Sequence, residues 1–293
     1  KKVPKHINSL KNKLHQIKPD VLVVCNHAFD FYFIPFISNG IKTIKEFHAS
    51  RFFYQKKLLN ASIVKKIIYV INNNIEKKYS HIVVLNKDEK QYYKSNNVEV
   101  ISNAIKLDVK KNSCQRKYII LAAGRIAPVK QFDHLIKAWS LIAAKFPDWE
   151  VHIYGDGNDL LLNELNFLIK KLAVSNIQLK GATNNLGEKM KTASIYALTS
   201  STECFPMVLL ESLAFGLPIV SYDCPHGPRN IVSNNIDGVL VEANNTAKFA
   251  AALAQLIEDK VERTKMEEAA STNIVRYSEH TVMQQWIQLF NKK

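Results

Sequence analysis

Two carboxylates eight positions apart, Glu203 and Glu211, bracket the start of a helix predicted over Pro206–Phe215. The apolar run Ile195–Leu198 before them reads as a buried strand. Proline is well placed in a first helical turn, where its missing N–H is no loss. Gly216 closes the helix and Pro218 opens the next strand. Glu203 therefore falls in a loop at a helix N-terminus, and Glu211 falls inside the helix. Free N–H groups at such an end favour anions, phosphate above all. Carboxylates on either side suit a ligand with hydroxyls at both ends of a diphosphate, which describes a nucleotide sugar. The plainer alternative is two solvated glutamates near a helix start, and their spacing alone does not separate the two.

A second cluster follows the predicted strand Tyr118–Ala123. Gly124 permits close backbone approach, and Arg125 and Lys130 set two cations at the strand end, suited to a diphosphate. A solvated basic loop is the competing reading. Tyr154-Gly155-Asp156-Gly157 also follows a strand, and a turn accounts for both glycines. Earlier in the chain, Glu46-Phe47-His48-Ala49-Ser50 ends a strand. A neutral imidazole there can position a hydroxyl or shuttle a proton, or His48 can be a partly buried structural histidine. His27 stands at another strand end and ranks below it.

These residues need elements to hold them, and the sequence supplies an alternation of strands and helices. Ile7, Leu10, Leu14 and Ile17 share one face of an opening helix over 6–18, before a strand at Val21–Cys25. Strands are expected next at Thr43–Phe47, Ser80–Leu85 and Val98–Ile101, with helices at Leu58–Val70 and Asp88–Ser95. Polar, lysine-rich Lys106–Lys117 reads as an interdomain linker. Beyond it the alternation is cleaner, with strands at 118–123, 150–154, 177–179, 195–198, 219–221 and 239–241 separated by helices. Two units in series are expected, 1–115 and 116–293, with the last helix free to pack back on the first. Ligands of open parallel sheets bind outside the carboxyl ends of the strands, where each candidate motif falls.

The run E-C-F-P-M-V-L-L-E, continued by S-L-A-F-G-L-P-I-V and D-C-P-H-G-P-R-N-I-V, resembles the E-x7-E region of retaining glycosyltransferases of family 4. Gly124-Arg125 with Lys130 is similar to that family's G-R-x(4)-K element. The resemblance implies a GT-B fold, an α/β architecture of two Rossmann-like domains whose parallel sheets face each other across a cleft. It also implies roles. Arg125 and Lys130 would hold the donor pyrophosphate, Glu211 the ribose hydroxyls and Glu203 the sugar. Gly124, Phe205, Pro206, Met207 and Val208 would line the donor site, and His48 would face the sugar from the first domain. Gly181–Asn185 resembles the loop beside the nucleotide base. Val100–Ile105 resembles the I-x-N-G element before the linker, with Ala104 replacing glycine. Family members open on a strand and a glycine-rich loop, whereas this chain opens on a helix, so an abridged first domain or a fragment is expected.

The expected activity is transfer of a hexose or N-acetylhexosamine from a UDP-sugar to a hydroxyl of a glycan or lipid-linked acceptor, in bacterial surface polysaccharide synthesis. No metal and no cofactor beyond the donor itself are expected. A non-catalytic, transferase-like binding subunit is the alternative. Charge is uneven: residues 1–115 carry 21 Lys+Arg against 8 Asp+Glu, or +13 of the total +14. No nucleic-acid-binding motif accompanies it, so an anionic membrane surface is the favoured partner. Lys56, Lys57, Lys65 and Lys66 are the candidate contacts, with Phe52, Phe53, Leu58 and Leu59 as shallow anchors. In the competing arrangement Leu59, Ile63 and Ile67 pack into the core. Four cysteines without metal-like or redox-like spacing, and no apolar run near ~20 residues, fit a cytoplasmic protein, peripheral on the inner membrane face.

Overall fold

Short apolar runs become parallel strands throughout this chain, and two separate sheets result. The computed structural model describes residues 2–25, 29–52, 58, 60–107 and 115–292. These divide into one unit of Lys1–Ser102 with Gln284–Lys293 and a second of Asn103–Met283.

In the first unit, helix α1 (Lys2–Ile17) leads into β1 (Val21–Val24). A short helix α2 (Ile34–Ile37) precedes β2 (Lys42–Phe47). Helix α3 (Ile63–Glu76), β3 (His81–Val84), α4 (Lys87–Lys90) and β4 (Val98–Val100) follow. The sheet order is β1-β2-β3-β4, all parallel. Leu14 is buried and Ile7 and Leu10 pack on the core, while Ile17 is 68% exposed. The helix stops there, because Lys18 turns the chain at φ 49°.

The expected helix over Leu58–Val70 is displaced. It begins at Ile63, after Ser62, and runs on to Glu76. Its far end is held by a buried ion pair between Glu76 and Arg51, a contact between distant residues that local periodicity does not encode. His27, Phe53, Lys56, Lys57 and Leu59 lie outside the described residues.

The second unit holds β5 (Ile119–Ala123), α5 (Phe132–Ser140), β6 (Glu150–Tyr154) and α6 (Asp159–Lys171). Then come β7 (Ile177–Gly181), α7 (Leu186–Thr192), β8 (Ile195–Leu198), α8 (Met207–Ala214) and β9 (Ile219–Tyr222). It ends with β10 (Gly238–Val241), α9 (Thr246–Glu258), α10 (Lys260–Asn273) and the start of α11 (Glu279–Asn291). The sheet order is β10-β9-β8-β5-β6-β7. Its strand order reverses between β5 and β8, the switch point at which doubly wound sheets take ligands. Fully buried Trp139, Leu135 and Ile136 on α5 pack into the core of this unit. The residues from Gln284 onward belong to the first unit, where Lys42 Nζ donates to the Phe290 carbonyl at 2.8 Å. Ile105 is tied to the second unit by its N–H to Tyr277 O at 2.9 Å.

Candidate active site

The carboxyl ends of β5 and β8 are fixed to each other before any ligand is considered. Tyr196 on β8 donates its hydroxyl to Ala123 O at 3.0 Å and accepts the Ala123 N–H at 3.1 Å. Burial pushes its phenol far above the ordinary range, so it stays neutral. Beyond the strands the two loops are laced together. Ser201 N–H donates to Val129 O at 2.8 Å, and Thr199 Oγ1 donates to Gln131 O at 2.9 Å.

Lys130 reaches across this junction and donates to Glu203 Oε1 at 2.7 Å. Ser200 Oγ donates to the same oxygen at 2.7 Å. Gly124, at φ 157°, leaves room for this, since a Cβ there would meet Lys130 Cε at 3.2 Å. The loop after β9 backs Glu203 from behind. A Cβ on Gly227 would lie 2.5 Å from Glu203 Cβ, so only glycine fits without displacing the glutamate. Asp223 and Arg229 close that loop with two bonds of 2.8 Å. Cys224, fully buried on it, has its thiol pushed up to about 12, first by burial and then by the Glu203 carboxylate.

Proline 206 caps α8, one position before the helix proper. The first N–H groups of a helix lack intrahelical acceptors. Met207 and Val208, the first two residues of α8, line a cavity of about 410 Å³, within the range of small-ligand sites. Its lining includes Gly124, Lys130, Glu203, Phe205, Pro206, Met207, Val208 and Glu211. Burial raises the Glu211 carboxyl above its ordinary range. Anion donors, one cation and two carboxylates thus share one concave site, with chemistry that fits a phosphorylated, hydroxyl-rich ligand.

Two predicted residues are not among those that line the cavity. Arg125 is exposed. His48 belongs to the first unit, at the end of β2, with Nε2 3.4 Å from Glu46 Oε2 and its side chain 47% exposed. Contributors missed by sequence reasoning include Ala123 and Leu186 in the lining, Ser200 on Glu203, and Gly227. Leu186 begins α7 directly after the Gly181–Asn185 loop, so the signal lay one residue away. Gly227 sits in the D-C-P-H-G-P run, but its contact with Glu203 is purely tertiary. Among the described cysteines, Cys25, Cys204 and Cys224 form no disulfide with one another, and Cys114 lies outside the described residues.

The chain is similar to known proteins in sequence and in fold. A family model described as "Glycosyl transferases group 1" matches residues 103–273. An uncharacterized glycosyltransferase of Haemophilus influenzae is 32% identical over 212 residues, covering 70% of this chain and 59% of the relative. The poly(ribitol-phosphate) alpha-N-acetylglucosaminyltransferase of Staphylococcus aureus is 26% identical, covering 76% of this chain and 46% of that protein. This chain therefore spans about half the length of these relatives. Anabaena HepE, solved in complex with UDP, superposes with a TM-score of 0.83 at 16% identity, covering 97% of this chain and 81% of that one. The fold is GT-B, and the chain belongs to the group 1 glycosyl transferases.

Proposed function

We propose that this chain carries the donor site of a retaining glycosyltransferase, moving a hexose or N-acetylhexosamine from a UDP-sugar to a hydroxyl of a glycan or lipid-linked acceptor. The acceptor would belong to a bacterial surface polysaccharide, and the enzyme would work at the cytoplasmic face of the membrane. The observation that carries this reading is the shared cavity of Lys130, Glu203, Glu211 and the N-terminus of α8. UDP in the HepE complex, and the sugar transfer named for the Staphylococcus aureus relative, support it.

In this reading the donor diphosphate sits against the Met207 and Val208 N–H groups. Lys130 supplies the countercharge as the leaving group develops, with no metal required. Arg125, exposed beside Gly124, swings in from the rim of the same strand end. The Glu211 carboxylate accepts the ribose hydroxyls, where burial strengthens each bond. The sugar hydroxyls meet Glu203, which Ser200 and Lys130 already hold in place. Attack comes from the face the diphosphate leaves, and the leaving phosphate takes the acceptor proton.

A thermal-shift panel of UDP, GDP, ADP and their sugars tests the reading. The expected result is a rise in melting temperature with UDP and UDP-sugars above that with the other nucleotides. No shift with any nucleotide would overturn the donor-site assignment.

A further inference from the structure

Helix α3, in the lysine-rich first unit, turns its polar side inward. Asn73 and Glu76 are 7% and 1% exposed, whereas Ile63, Val64, Ile67, Ile68, Val70 and Ile71 are 38–76% exposed. At 100° per residue these six aliphatic side chains share one face, interrupted by exposed Asn74 in the last turn, with Lys65 and Lys66 at its two borders. Arg51 is the cause. Its guanidinium is almost fully buried, stacks 3.9 Å from the centre of the Tyr93 ring, pairs with Glu76 and donates to Asn73 Oδ1 at 3.4 Å. A buried cation requires a carboxylate, so the Arg51–Glu76 pair sets the rotation of α3 and leaves its apolar arc facing solvent.

An apolar surface of this extent on a folded chain marks an interaction site. Its charges select the partner. Among residues 61–80 the exposed charged groups are Lys65, Lys66, Lys77 and Lys78, and the single acid, Glu76, is buried. Two copies meeting through this face would bring like charges together, which disfavours self-association. An anionic bilayer satisfies both halves of the surface. The aliphatic arc enters the boundary of headgroups and acyl chains, and the lysines reach back to lipid phosphates. The helix is also too short to span, and no helix among the described residues is long and apolar enough to cross a membrane.

We propose that α3 docks the chain on an anionic lipid surface, lying in the headgroup plane with Ile63, Val64, Ile67, Ile68, Val70 and Ile71 inserted. This rests on the first unit alone and is independent of the donor-site reading. The test is co-sedimentation of the full chain with vesicles of phosphatidylcholine, alone or with phosphatidylglycerol, at low and high salt. Binding to the anionic vesicles at low salt should exceed that to neutral ones by on the order of tenfold, and should collapse as salt shortens the screening length. The double variant Ile67→Asp/Ile71→Asp should lose most of it, again on the order of tenfold. Phe167→Asp, at a position 67% exposed on the second unit, should change nothing. Lys65→Gln/Lys66→Gln should reduce the anionic preference, and it keeps the test decisive should the aspartates disturb folding. No binding at low salt, equal binding to both vesicles, or full binding by both double variants would overturn the proposal. So would self-association, or retention of a protein partner, that the aspartate variant abolishes in the absence of vesicle binding.

Discussion

Near the carboxyl edge of the first sheet Lys45 is fully buried, and its ammonium donates to the Val24 and Glu46 carbonyls at 3.0 and 2.9 Å. At the corresponding edge of the second sheet the Lys130 side chain is 21% exposed, pairs with a carboxylate and lines a cavity. Both lysines stand beside a strand end with a glutamate at hand. The first is consumed by the backbone it holds, and the second is held ready by a side chain that a ligand can displace. Residue type and strand-end position therefore do not define a site. What defines it is whether the charge is spent inside the fold.

This contrast breaks most visibly at Arg51, where the first unit spends its charge. Arg51→Met leaves Glu76, 1% exposed, as an uncompensated buried carboxylate. Loss of one partner of such a pair costs about 3–5 kcal/mol. Denaturant unfolding should show the first unit destabilised by that amount, with UDP binding by the second unit retained. Unfolding unchanged by the substitution would show that the pair is not structural.

A smaller effect comes from pH. Burial pushes the Lys45 ammonium down to about 8 from 10.5, against the opposing pull of Cys25 and Glu46. Between those values the unfolded chain binds a proton that the folded chain does not, so stability rises with pH. Relative to Lys45→Met, the parent should gain up to about 3 kcal/mol on going from below pH 8 to above pH 10.5. Parallel melting curves across that window check it. A constant difference between the two proteins would mean that Lys45 titrates normally.

Smallest is the response of Glu211, whose carboxyl burial raises. Ribose hydroxyls donate to the ionised form, so nucleotide affinity should fall as pH drops through that raised value. A decline of several-fold is expected, and Glu211→Gln should bind weakly and without the pH slope. Calorimetric titration of UDP at stepped pH checks it. A parallel slope in the variant would assign the titration to another group.

The two halves were also unequally legible in the sequence. The donor cluster could be read because Gly124, Lys130, Glu203 and Glu211 each follow a strand, and strand ends of a parallel sheet converge. Even there, the packing of Gly227 on Glu203 joins segments that local pattern does not link. The side-chain direction of Arg125 is set by its loop, not by its position in a motif. In the first unit, the aliphatic spacing of α3 is equally that of a core-facing helix. Only the burial of Arg51, twenty-five residues before Glu76, decides which way it faces. Long-range electrostatics overrode local periodicity at that point.

The account depends most on the charges of the second unit being available to a ligand, and titration of UDP into the parent, Lys130→Ala and Glu211→Ala tests this directly. Removing a charged or hydrogen-bonding partner of a buried polar ligand costs on the order of 2–4 kcal/mol, or roughly 30- to 1000-fold in affinity. The account predicts losses of that size in both variants, with melting temperatures close to the parent's. Parental UDP affinity in both folded variants would contradict it.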